Sequence, residues 1–128
     1  MLNVNPEVVC QLINMAREFH AKEGVAIPDE TTRTSGDVAS EVLTDHQGDP
    51  TLQEFKNVVQ DLEPDQQVAL VTLMWIGRGD FDAAEWEAAF QQAGESWTPH
   101  TADYLLTTPL VADYLEEGLA ALGYSCQE

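Results

Sequence analysis

Residues 68–76 read "VALVTLMWI", and only Thr72 among them is polar. A helix apolar nearly all round belongs in the middle of a bundle, with neighbours on every side. The run is far shorter than the ~20 residues that cross a bilayer. Glu63-Pro64 precedes it, and Gly77 and Gly79 follow it, where the helix is expected to stop. The fold class therefore depends on what the flanking segments supply to cover it.

They supply helices, and the prolines mark the starts. Proline is tolerated in the first helical turn, where its missing N–H has no partner to lose. A preceding Asn, Asp, Ser or Thr can cap that turn. The chain reads Asn5-Pro6, Asp49-Pro50, Glu63-Pro64, Thr98-Pro99 and Thr108-Pro109, so five of six prolines are placed to open a helix. Apolar spacing agrees with this reading. Val8, Val9, Leu12, Ile13, Ala16 and Phe19 share a face, and Gly24 ends that run. Leu52, Phe55, Val58, Val59 and Leu62 repeat at three and four. Asp82 with Glu85 fits a capping box, after which Trp86, Ala89, Phe90 and Ala93 point inward until Gly94. Leu110, Val111, Tyr114, Leu115, Leu119 and Leu122 form a last stripe, closed by Gly123.

Residues 24–37 are polar and aperiodic, a loop or arm, and a short helix is expected at about 37–46. No pair of strands with turn chemistry is present. The expectation is an all-α, single-domain bundle over residues 1–128, with six or seven helices packed around a buried central helix at about 66–77. One internal repeat stands out. Thr-Pro-x-x-Ala-Asp-Tyr-Leu occurs at 98–105 and again at 108–115. The offset is too short for a solenoid unit, so it reads as two consecutive helices sharing a cap and anchors.

Composition narrows the partners. Of 128 residues, 44% are apolar, ordinary for a globular chain, but 23 Asp and Glu face 5 Lys and Arg, a net charge of −18. No cation is adjacent to another, so no basic footprint for nucleic acid exists, and anionic membranes would repel this surface. Basic proteins, cations and uncharged ligands remain. Cys10 and Cys126 are the only cysteines, too few for a disulfide framework, and whether they meet is left open by the spacing. The start "MLNVNPEVV" carries no basic n-region or long apolar run, so the expected location is cytoplasmic.

Several motifs invite sharper functions. Arg78-Gly79-Asp80 matches an adhesive tripeptide, but each residue has a mechanical use at a helix joint: a cation at a helix end, a glycine turn, an acid near the next start. A calcium loop begun at Asp80 fails at Ala84, Glu85 and Gln91, and one begun at Asp45 fails at Gln47 and Pro50. His20, His46 and His100 show no metal-ligand spacing. Gly77 and Gly79 lack the lysine of a P-loop. No catalytic residue, metal or cofactor is assigned.

"LVTLMWIGRGDFDAAEW" followed by "HTADYLLTTPLVADYLEEGL" resembles a group of small acidic bacterial proteins catalogued only as a domain of unknown function. The resemblance covers about residues 50–120. It implies a bacterial origin and a helical fold, and brings no activity, cofactor or catalytic residue.

The functional expectation is a non-catalytic interaction or adaptor protein that turns an acidic face toward a basic partner. No Lys or Arg follows Arg78, while ten Asp and Glu do. The alternative is a small-molecule-binding protein or enzyme with a pocket near Trp75, Trp86 and His100, using His100 with Asp103 or Glu85. Candidate binding residues across both readings are Trp75, Arg78, Asp80, Trp86, His100, Glu116 and Glu117. Oligomeric state is not readable from the sequence.

Overall fold

The structure is a computed structural model and describes residues 3–21, 49–108 and 110–126. Among these residues there are six α-helices and no strand. They are α1 (Pro6–Ala21), α2 (Pro50–Asp61), α3 (Pro64–Arg78), α4 (Trp86–Glu95), α5 (Thr101–Leu106) and α6 (Val111–Ala121), with a 3₁₀ turn at Ala83–Glu85 before α4. The protein is an all-α bundle. The expected arm at 24–37 and helix at 37–46 lie outside the described residues.

The first three helices start where the prolines predict. Asp49 caps α2, its carboxylate accepting from the N–H groups of Thr51 and Leu52 at 2.8 and 3.2 Å. At α3, Glu63 and Gln66 form a reciprocal capping box. The fourth start is displaced. Pro99 and His100 lie in a turn, and α5 begins only at Thr101. The reason is local: the Thr98 hydroxyl accepts from His100 N–H at 3.1 Å, and the Thr101 hydroxyl donates back to the Thr98 carbonyl at 2.9 Å. That closed turn takes the place of a helical one.

Helix α3 is the buried centre. Every residue from Gln67 to Met74 is buried, as is Ile76. It packs against α4, α5 and above all α6, while α1 packs on α6 and α2. Helix α6 is thus held between α1 and α3.

Gly77 corrects the sequence reading. It does not stop α3; the helix runs on to Arg78 and only Gly79 turns left-handed, with φ 98°. Gly77 is needed for approach instead. A Cβ there would collide with the backbone carbonyl of Tyr114, and one on Gly118 would collide with that of Leu73. The pairs 73/77 and 114/118 are each one helical turn apart, so α3 and α6 cross antiparallel, each offering a glycine to the other's backbone. Backbones this close bring many atoms into dispersion contact. Gly94 is likewise inside α4, which ends at Glu95. Leu110, expected in the last stripe, is 53% exposed, because α6 begins at Val111 and Leu110 precedes its first turn.

Candidate functional site

The joint between α3 and α4 is built from its own side chains. Gly79 N–H donates to Ile76 O at 3.1 Å and Asp80 N–H to Trp75 O at 3.0 Å, which closes the end of α3. Arg78 folds back over this turn, and its Nε and Nη2 both donate to Asp80 Oδ2, at 2.9 and 2.7 Å. Two residues on, Asp82 and Glu85 complete the predicted capping box, with Asp82 N–H donating to Glu85 Oε1 at 2.8 Å. The side chains of Arg78 and Asp80 satisfy each other, the reverse of what an adhesive loop offers a receptor.

The tryptophans have separate partners. Trp75 stacks on Phe81 with ring centroids 6.0 Å apart, and its indole N–H donates to the Tyr104 hydroxyl at 3.2 Å. Trp86 is buried and stacks on Phe90 at 5.9 Å. Trp97, half in solvent, donates its N–H to Gln67 Oε1 at 2.7 Å, and Gln67 in turn donates to the carbonyl groups of Val59 and Leu62. Gln67 is thus a buried polar link tying α2, α3 and the segment after α4 together.

The most unusual polar cluster lies where α2 meets α5. The side chain of Asp103 is 4% exposed, with Lys56 Nζ 3.6 Å from Oδ1 and His100 Nδ1 3.9 Å from Oδ2. Burial of a carboxylate requires such compensation. His100 and Asp103, the pair named in the enzymatic alternative, are neighbours here, but at 3.9 Å they stand beyond hydrogen-bond distance. Lys56 was missed by sequence reasoning. Its signal was its place beside Phe55 on the inward side of α2, the single cation of that helix. Nearby, His20 Nε2 donates to the Leu106 carbonyl at 2.7 Å, the end of α5, which requires the proton to sit on Nε2.

On the outer seam, Arg17 of α1 reaches Glu116 at 2.6 Å and Asp113 at 3.2 Å on α6. The hydrogen bond to Glu116, then that to Asp113, holds the guanidinium pKa above its ordinary value. Glu116 is therefore part of a helix–helix contact, while Glu117 beside it is exposed. Arg17, Lys56 and Arg78 are the Lys and Arg among the described residues, and each pairs with a carboxylate from the chain beyond residue 78. Among the described residues no three His, Cys, Asp or Glu side chains converge as a metal would need, and no helix is long and apolar enough to cross a membrane.

The fold and these clusters define a small acidic helical protein whose described Lys and Arg side chains pair with its own carboxylates. A family of proteins of unknown function, DUF3775, matches residues 52–124, and the chain belongs to it. That span runs from α2 through the turn after α6. No curated protein and no solved structure matches the chain.

Proposed function

We propose that this chain is a non-catalytic interaction or adaptor protein of the bacterial cytoplasm, using an acidic face toward a basic partner. One observation carries the reading. The described cations are each engaged in an internal ion pair, so exposed carboxylates such as Glu87, Glu95 and Glu117 face solvent with no Lys or Arg of the chain beside them in any described pair. A surface of one sign steers an oppositely charged partner and speeds encounter.

The test is a pull-down from bacterial lysate across a salt series, repeated with Glu87, Glu95 and Glu117 changed to Lys. Glu116 is left intact, because its reversal would open the α1–α6 seam. A steered complex weakens as the Debye length falls from about 10 Å at 0.1 M salt to about 3 Å at 1 M. A partner retained at high salt, or indifferent to the reversals, would sink the proposal.

A second reading, ligand binding or catalysis, is favoured by the Lys56–Asp103–His100 cluster, since a buried carboxylate flanked by an amine and an imidazole suits proton transfer or recognition of a polar ligand. A thermal-shift screen of small polar molecules tests it. A stabilising compound whose effect vanishes in Asp103→Asn would support this reading over the first.

A further inference from the structure

Helix α6 ends in a turn that reverses the chain. Tyr124 N–H donates to Leu119 O at 2.8 Å and Gly123 N–H to Ala120 O at 3.0 Å, with Gly123 at φ 92°. These two bonds and a left-handed glycine make a Schellman motif. The turn leads the following residues back against α1, where Cys126 is joined to Cys10 by a disulfide, with Cα atoms 5.6 Å apart. Because α1 and α6 run antiparallel, the disulfide fastens one end of their seam and Arg17 with Asp113 and Glu116 fastens the other.

We propose that Cys10–Cys126 is a reversible redox latch: oxidation pins residues 122–126 onto α1, and reduction frees that segment while the helical fold persists. Three observations support it. The bond lies at the core's edge: Cys10 and Cys126 pack against the buried cluster without being part of it. Leu12, Phe19, Phe55, Leu73, Leu105 and Leu115 are fully buried, come from five helices, and none lies in the latched segment. A core of that extent distinguishes this chain from small domains that fold only when cross-linked. Next, both cysteines are half-buried at the core's rim and not sealed inside it, and exchange with an attacking thiolate depends on access of that kind. Lastly, the chain has no third cysteine, so no alternative pairing within it competes.

The chemistry is thiol–disulfide exchange with a dithiol. One thiolate of the dithiol attacks a sulfur of the Cys10–Cys126 bond, forming a mixed disulfide and expelling the other cysteine as thiolate, which takes up a proton. The second thiol of the dithiol loses its proton and displaces the remaining cysteine. The products are two cysteine thiols and the oxidised dithiol; two electrons and two protons have passed to the chain. Re-oxidation is the same exchange run backward against a disulfide oxidant. In a reducing compartment the bond would form only transiently. The latch is a property of the chain itself and does not rest on the location or partner proposed above.

The test uses the full chain oxidised with diamide and then reduced with dithiothreitol. Thiol counting under denaturing conditions should give none, then two. Far-UV circular dichroism at 25 °C should be unchanged, while amide hydrogen exchange in residues 122–126 rises by about tenfold or more and that of α3 does not. The midpoint of thermal unfolding should fall by on the order of 10 °C, because the bond restrains nearly the whole unfolded chain. Cys10→Ser and Cys126→Ser should each reproduce the reduced state without reductant. Two free thiols surviving diamide would show that the bond does not form. Loss of helix on reduction and in both variants would make it an obligatory staple. Unchanged exchange in 122–126 would show that nothing is latched. Any of the three overturns the proposal.

Discussion

The two copies of Thr-Pro-x-x-Ala-Asp-Tyr-Leu are nearly the same text put to different uses. In both, the alanine and leucine are buried: Ala102 and Leu105 in α5, Ala112 and Leu115 in α6. In both, the aspartate pairs with a cation on another helix. Yet Asp103 is buried and meets Lys56 of α2, whereas the Asp113 side chain is 60% exposed and meets Arg17 of α1. Both tyrosines engage α3, but by different groups. The Tyr104 hydroxyl accepts from Trp75, and the Tyr114 backbone carbonyl lies against Gly77. The motif specifies a helical turn with two inward anchors. What surrounds each copy decides what its polar residues do.

The residues after the motif set helix length. The first copy continues into Thr107 and Thr108, whose hydroxyls donate back to the carbonyl groups of Asp103 and Tyr104. Such back-bonding competes with the backbone ladder, and the sequence places Pro109 next, which disfavours helix at the residue before it. The second copy continues as Glu-Glu-Gly-Leu-Ala-Ala and carries α6 to Ala121.

The comparison can be broken most forcefully at the glycine that only the second copy faces. Gly77→Ala places a methyl against the Tyr114 carbonyl, where rigid backbone lies on both sides, and should cost about 3 kcal/mol or more, read from the urea midpoint. A cost below about 1 kcal/mol would mean the two helices can separate freely.

The aspartates offer the next contrast. Asp103→Ala strips Lys56 of its buried counter-ion and should destabilise by about 2–4 kcal/mol, while Asp113→Ala should cost no more than about 0.5 kcal/mol, because its pair with Arg17 is exposed. Equal effects would show that burial does not separate the two copies. A double-mutant cycle with Lys56→Met would isolate the pair itself.

The tyrosines should give the smallest effect. Tyr104→Phe removes the acceptor of the Trp75 indole N–H and should cost about 1 kcal/mol, with a shift in tryptophan fluorescence. Tyr114→Phe keeps the carbonyl that meets Gly77 and should change stability by less than about 0.5 kcal/mol.

The charge asymmetry has a similar lesson. An acidic chain beyond residue 78 with no cations of its own suggests an outward face, and the exposed Glu87, Glu95 and Glu117 fit that description. But Asp80, Asp103, Asp113 and Glu116 accept Arg78, Lys56 and Arg17 from the earlier part of the chain. Part of the charge imbalance therefore stitches the bundle together, and a count of charges along the sequence cannot separate the two uses.

Local rules act within a few residues, and what rests on them was readable beforehand. Proline starts at Pro6, Pro50 and Pro64, the Asp82–Glu85 box, the left-handed turns at Gly79 and Gly123 and the all-round burial of α3 follow from backbone chemistry and helical period alone. Other features depend on which helix lies opposite, and no local pattern carries that. The tertiary structure alone decided that Gly77 is a crossing point and not a stop, that Gly118 matches it, that Lys56 meets Asp103, that Glu116 belongs to Arg17, and that Cys10 meets Cys126. A helix's own period reveals which face is buried; only packing determines what that face is buried against.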